Sequence, residues 1–232
     1  MKVSTSQLIL SCEHGGNRIP AVYRSLFGRD TALLETHRGL DIGALAIARA
    51  IARTLSVPLH YSQTSRLLVD LNRSLRHRNL FSEFSRNCDA ETRERILLKY
   101  YYPYRQNLES QIRKLIADRR PVIHLSIHSF TPVLAGQTRN ADFGLLYDPG
   151  RRLEQQFCAR MKTVLDMRSS RVTRLNYPYR GYNDGMTTYL RKRVPRNAYL
   201  GIEIEINQRD IMTYAEQIND ILINALRDLL GD

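Results

Sequence analysis

His14 lies in Glu13-His14-Gly15-Gly16-Asn17, directly after an apolar run, and His128 closes a second run, Val122-Ile-His-Leu-Ser-Ile-His-Ser129. Two histidines, one carboxylate and an open position for water make up a common catalytic zinc arrangement. His124 and His128 are four apart, which on a helix would make a metal pair. The residues around them read as a buried strand, where the two stand roughly 13 Å apart at ~3.3 Å per residue. Only His128 is then at the end that reaches a cleft, and His124 reads as a hydrogen-bonded core histidine. Glu203 and Glu205 share one face of the apolar run Tyr199–Ile206. A carboxylate there is costly to bury unless it is paired or beside a metal. Glu205 is a candidate general base for a metal-activated water, although pairing of both acids with nearby arginines fits the sequence equally. Arg66 and Arg73 flank Leu67-Leu-Val-Asp-Leu-Asn72, and the arginine fork matches a carboxylate in two parallel hydrogen bonds. Arg73 beside Asn72 suits a substrate carboxylate, and Arg66 suits either the same task or polarisation of a carbonyl.

Strand-length apolar runs alternate with longer amphipathic segments. The strands expected are Gln7–Cys12, Pro58–Ser62, Leu67–Leu71, Val122–Ile127, Phe143–Tyr147, Val172–Leu175 and Tyr199–Ile206. The helices expected are Asp41–Leu55, Ala90–Arg119, Arg152–Leu165, Thr187–Arg193 and Tyr214–Leu230, with Pro103 kinking or splitting the second. This alternation predicts an α/β fold with a mostly parallel mixed central sheet and helices on both faces. No repeat or linker divides residues 1–232, which read as one domain. Ligands of such sheets bind at the carboxyl ends of strands. All of the polar clusters fall where this reading places those ends, so they are expected to converge on one cleft.

Composition narrows the classes further. No apolar run approaches the ~18 residues of a membrane span, and Met1–Gln7 is too polar and short for a signal peptide. Three cysteines, Cys12, Cys88 and Cys158, show no paired spacing, which predicts a reducing cytoplasm and no cysteine zinc site. Cys12, beside His14, reads as a small packing residue rather than a nucleophile. The net charge is +12, carried by arginine, since lysine occurs at only five positions. Such a charge suits an anionic substrate or a nucleic acid. The arginines are dispersed and no nucleic-acid motif accompanies them, which disfavours the second reading.

Taken in order, these segments resemble the N-formylglutamate amidohydrolase family, a branch of the zinc carboxypeptidase-like hydrolases. Glu13-His-Gly-Gly-Asn17 with Pro20, His37-Arg-Gly-Leu-Asp41-Ile-Gly-Ala44, Ser65-Arg-Leu-Leu-Val-Asp-Leu-Asn-Arg73, Ile127-His-Ser-Phe130 and Glu205-Ile-Asn207 match its successive motifs. The resemblance implies a phosphorylase/hydrolase-like (zinc peptidase-like) fold and a zinc-dependent amidohydrolase. It implies a small anionic N-acyl amino acid as substrate, most simply N-formyl-L-glutamate. His14 and His128 carry over as zinc ligands. The acidic ligand of carboxypeptidases falls at Asn17 here, so the third ligand is assigned to Asp41, with Glu13 and Glu205 as alternatives. Glu205 and Arg66 are the expected catalytic residues, and Asn72, Arg73 and Arg180 the expected substrate-binding ones.

Overall fold

The computed structural model of the protein describes residues 7–28, 30–117 and 121–231. The N-terminal segment through Ser6 and the expected helix end at Arg119 lie outside these residues. Six strands form the central sheet: β1 (Leu8–Cys12), β2 (Leu59–Tyr61), β3 (Val122–Phe130), and, after the short hairpin of β4 (Val133–Leu134) and β5 (Gln137–Thr138), β6 (Phe143–Leu146), β7 (Thr173–Leu175) and β8 (Tyr199–Asn207). Their spatial order is β2-β1-β3-β8-β6-β7, parallel throughout except that β6 runs antiparallel to β8. This is the mixed, mostly parallel sheet expected.

The side-chain period of two sorts the three central strands into unlike faces. Leu8, Leu10 and Cys12 of β1, Ile123, Leu125 and Ile127 of β3, and Ile202, Ile204 and Ile206 of β8 pack in one apolar core. Helices α1 (Ala44–Leu55), α4 (Arg152–Arg168) and α6 (Gln208–Leu230) cover it. The intervening residues face the other way: Ser11 on β1, His124, Ser126 and His128 on β3, and Glu203 and Glu205 on β8. A second apolar cluster, from α2 (Ala90–Ile96), α3 (Tyr102–Ala117) and α5 (Met186–Arg191), packs with Ile9, Val122 and Tyr199 on that side. The sheet is therefore apolar on one face and polar in the middle of the other.

Two expected elements differ, Leu67–Leu71 and the start of the last helix, while the break of the central helix near Pro103 is as expected. Leu67–Leu71 is not a strand. It is a buried, turn-rich loop, with Leu68 N bonded to Ser65 O (3.0 Å) and Asp70 N to Leu80 O (2.8 Å). Its apolar run is real because Leu67, Leu68, Val69 and Leu71 join the second core, and burial rather than pairing accounts for it. The long central helix is interrupted by a π-helical stretch, Leu97–Tyr101, just before Pro103. Proline removes one helical N–H and crowds the carbonyl four residues earlier, and the wider turn accommodates both. Helix α6 also starts six residues earlier than expected, with a non-helical kink at Tyr214, where the expected helix begins.

Asp41 is delivered by the entry to α1. Gly43 caps that helix with φ 78°, and a Cβ there would lie 2.2 Å from Ile211 Cγ2 of α6. Left-handed backbone costs a side-chain-bearing residue about 1–2 kcal/mol before any clash. Gly43→Ala is expected to lower stability by about 2 kcal/mol or more, read as a reduced urea midpoint with an unchanged m-value.

Candidate active site

The polar face of the sheet opens into a cleft of about 160 Å³ lined by His14, Asp41, Arg66, Asn72, Arg73, His128, Ser129, Tyr179, Arg180, Asn183, Asp184, Glu203 and Glu205. All eight residues expected to form the site are here. His14 follows β1, Asp41 leads into α1, His128 and Glu205 are paired neighbours on β3 and β8, and Arg180 stands in the loop after β7. Asn72 and Arg73 reach the cleft from the buried loop rather than from a strand end, and Asp70 of the same loop stands behind His14 and Arg66.

His14, Asp41 and His128 converge. His14 Nδ1 and His128 Nδ1 lie 3.4 and 2.7 Å from the same oxygen, Asp41 Oδ2, and one ligand atom from each residue falls within 4.8 Å of the others. The far nitrogen of each ring also has a carboxylate. His14 Nε2 is 2.7 Å from Asp70 Oδ1, and His128 Nε2 is 3.3 Å from Glu13 Oε2. With an ion bound, each imidazole would be neutral, its proton on Nε2 toward that carboxylate and its Nδ1 lone pair inward; without one, both rings are held as cations among the carboxylates. Carboxylates behind ligating histidines fix ring orientation in metal sites in this way. The donor set of two imidazoles and one carboxylate, with that outer layer, fits a zinc ion. Glu13, an alternative as third ligand, stands on the far side of the His128 ring and accepts from Tyr104 Oη (3.0 Å) and Ser126 Oγ (2.5 Å). Asp41 is the carboxylate on the inner side.

Electrostatics follow from this packing. Burial alone would keep Glu13, Asp41 and Asp70 protonated, but facing cations reverse it and hold all three well below the usual carboxylate range. His128 acts on Glu13, both histidines and Arg66 on Asp41, and His14 with Arg66 on Asp70. Burial and the Arg66 charge would lower His14, and burial would lower His128, yet the carboxylates raise both. Arg66 forks between Asp41 Oδ1 (3.1 Å) and Asp70 Oδ2 (3.0 Å). Its guanidinium is thus engaged in holding two acids while one edge lines the cleft.

Glu205 behaves differently. It is 5% exposed, its Oε2 has no hydrogen-bond partner among the described residues, and burial pushes its carboxyl up to about 7. Glu205 lines the cleft together with both histidines. Glu203 Oε1 accepts from Thr187 Oγ1 (2.7 Å), and among the described residues neither acid is paired with an arginine. Asn72 Oδ1 accepts from Met186 N (2.5 Å), Arg73 donates to Asp184 O (2.9 Å), and Arg180 donates to Tyr182 Oη (2.8 Å). Sequence reasoning missed the roles of Asp70, Tyr104 and Ser126. Asp70 carried a signal, four residues after Arg66 and inside the Asp-Leu-Asn-Arg motif, whereas Tyr104 carried none.

His124 is a core residue. It is fully buried between Ser11 Oγ (2.7 Å) and Tyr199 Oη (2.7 Å), and burial lowers it to about 4. His124→Ala leaves two hydroxyls unpaired beside a cavity and is expected to cost roughly 2–4 kcal/mol in denaturant unfolding, with no change in metal content. Glu205 gives a second test, on metal-free protein in chelator. Its raised carboxyl keeps a proton in the folded chain that the unfolded chain releases near 4.5. Between those values the folded state binds more protons, so this group's contribution to stability falls as pH rises, by about 1.4 kcal/mol per unit. The stability of Glu205→Gln relative to the parent should climb from pH 5 to pH 7 and then level. A pH-independent difference would place Glu205 ionised throughout.

Residues 6–212 match the profile of the family described as N-formylglutamate amidohydrolase. Among solved structures, the chain is similar to gene product Atu2144 from Agrobacterium tumefaciens, at 27% identity and a TM-score of 0.77 over 98% of this chain and 92% of that one. It shares its fold with N-formylglutamate amidohydrolase from Ralstonia eutropha JMP134, at 17% identity and a TM-score of 0.73 over 96% and 93% of the two chains. No curated protein matches it in sequence. Among the described residues, no helix is long and apolar enough to cross a membrane. With the profile matched over most of its length and the motif residues gathered in one cleft, the chain belongs to the N-formylglutamate amidohydrolase family and is a hydrolase of amide bonds.

Proposed function

We propose that residues 1–232 act as one cytoplasmic catalytic domain, a zinc-dependent amidohydrolase that cleaves a small N-acyl amino acid, N-formyl-L-glutamate first among them. The observation that carries this reading is an unpartnered, buried carboxylate oxygen on Glu205 in the same cleft as the His14–Asp41–His128 cluster. The cleft's size supports a small substrate, since about 160 Å³ is well below the 300–1,000 Å³ of sites for larger ligands.

His14, Asp41 and His128 would hold the ion. Zinc at that position supplies Lewis acidity, which polarises a carbonyl and makes water nucleophilic near neutral pH. Glu205 Oε2 accepts a proton from the attacking water as its oxygen bonds to the acyl carbon. The same proton passes to the nitrogen as the C–N bond breaks, giving the carboxylic acid and the free amine. Burial favours Glu205 in both halves of that cycle, because it raises the carboxyl toward the range in which a group both accepts and returns a proton. Arg66 keeps Asp41 and Asp70 ionised and lends its positive charge to the carbonyl oxygen as negative charge develops there. Arg73 and Asn72 receive the α-carboxylate, and Arg180 the second.

Metal analysis of protein purified without chelator, followed by assay on a panel of N-formyl, N-acetyl and N-succinyl amino acids, tests the reading. One zinc per chain and preference for the N-formyl acidic substrate are expected. His14→Ala and His128→Ala should each remove most of the zinc. Glu205→Gln should keep the zinc and the KM while kcat falls ~10²–10⁴-fold, the usual loss with a general base. Zinc loss from Glu205→Gln would make Glu205 a ligand instead. Full zinc retention in both histidine variants would move the site elsewhere.

A further inference from the structure

Outside the cleft lies a second buried ion pair, Arg191 of α5 with Glu154 of α4. Both are nearly solvent-free, at 8% and 1% exposed. Arg191 Nε and Nη2 donate to the two oxygens of Glu154 at 3.0 and 2.9 Å. Its remaining N–H groups reach Gly201 O (2.6 Å), Gly181 O and Thr188 Oγ1 (3.1 Å). All five guanidinium donors are therefore used. Glu154 accepts in turn from Gly201 N (3.1 Å) and Asp148 N (3.0 Å).

The sheet explains why these groups are needed. β6 pairs with β8 only from Glu203 to Ile206, so Gly201 has no strand neighbour on that side. Buried backbone groups must be satisfied, and here Glu154 takes the Gly201 N–H while Arg191 takes its C=O. Together with the buried Arg151, 3.8 Å from Glu154 Oε1, the pair replaces a missing stretch of strand, which accounts for these charges in a dry place.

The pair also reaches the cleft. Gly181 follows Arg180 directly, and its backbone presses so closely on β6 that a Cβ would lie 2.1 Å from Tyr147 N. Asn176 Oδ1 holds Gly181 N (3.0 Å), and Arg191 holds Gly181 O. Thr188, bonded to Arg191, donates onward to Asn183 O (2.7 Å). Arg180 and Asn183, both lining the cleft, are thus tied at the backbone to one guanidinium, through the adjoining Gly181 O and by way of Thr188. Arg73 and Ser74 hold the loop's far end at Asp184, whereas the exposed Arg180 side chain donates to Tyr182. We propose that Arg191, oriented by Glu154, is a positioning residue that sets the 176–184 loop so that Arg180 meets the anionic end of the substrate in one place. This rests on the reading of Arg180 as a substrate-binding cation. Glu205 itself is placed by strand pairing, opposite His128 on β3 and Gly144 on β6.

The test is a double-mutant cycle on the zinc-loaded full-length enzyme with N-formyl-L-glutamate. Arg191→Lys keeps the charge on Glu154, but an ammonium cannot span five acceptors. A small misplacement of a binding group lowers kcat/KM by one to two powers of ten. KM is expected to rise about tenfold, with kcat within twofold and the pH profile of kcat unmoved. In an Arg180→Ala background, Arg191→Lys should add almost nothing, because the loop then carries no cation to misplace. Thr188→Val cuts only the branch to Asn183 and should give a smaller KM rise. If Arg191→Lys does not melt cooperatively, Thr188→Val in the same cycle decides. A KM unchanged by Arg191→Lys and Thr188→Val, or raised equally with and without Arg180, overturns the proposal. If Arg180→Ala leaves KM unchanged, the reading of Arg180 fails and takes the tether's role with it. If Arg180→Ala raises KM and Arg191→Lys does not, the tether alone fails.

Discussion

Three ionised carboxylates, Glu13, Asp41 and Asp70, are buried within one network, and the rest of the site depends on how that charge is matched. Removing an ion from water costs several kcal/mol even after relaxation. The cost is offset only by close partners of opposite sign, here His14, His128 and Arg66. Each acid touches at least one of those cations, and Asp41 touches all three. The network therefore cannot lose a member without leaving a buried charge unpaired. That constraint fixes both imidazole rings, and a fixed pair of rings is what a metal ion requires. Glu205 stands outside the matching. Its unpaired oxygen and raised carboxyl are consistent with a group that exchanges protons rather than one that holds the site together.

The sheet supplies the place for this network. Helices on both faces demand apolar strands, and β1, β3 and β8 comply on the face covered by α1, α4 and α6. Their other face carries serines, histidines and glutamates, which would be prohibitively costly as isolated groups. Stacking all three polar stripes side by side lets each satisfy the next, as Ser126 does between Glu13 and His128. The neighbouring Ser11–His124–Tyr199 chain extends the same solution deeper, with neutral groups only.

Arginine is used in the same way away from the cleft. Arg105, Arg151 and Arg191 are nearly buried and donate to backbone carbonyls: Leu71 and Arg73 for the first, Tyr199, Arg196 and Arg191 for the second, Gly181 and Gly201 for the third. Some of the basic excess is thus structural, filling places where loops and sheet ends leave carbonyls without partners. The planar fork with five donors does this in one residue where lysine would need several.

The period-two patterns of Val122–Phe130 and Tyr199–Asn207 by themselves determined two central strands, and the Val-Ile-His-Leu-Ser-Ile-His alternation already placed His124 and His128 on one face. Strand–helix alternation determined the α/β class, and the motif residues His14, Asp41, Arg66, Asn72, Arg73, His128, Arg180 and Glu205 were named from type and order. Leu67–Leu71 was misleading because an apolar run reports burial, and a buried loop and a buried strand have the same composition. Tertiary structure alone decided which of Asp41 and Glu13 faces the inner side of the His128 ring, because both are acids near His14 in sequence and only packing sets that side. It alone decided that Glu205 has no partner while Glu203 has Thr187, since hydrogen-bond satisfaction depends on what other segments bring. The Arg191–Glu154 tether was likewise invisible, because its cause is where β6 stops alongside β8, a matter of register between distant strands.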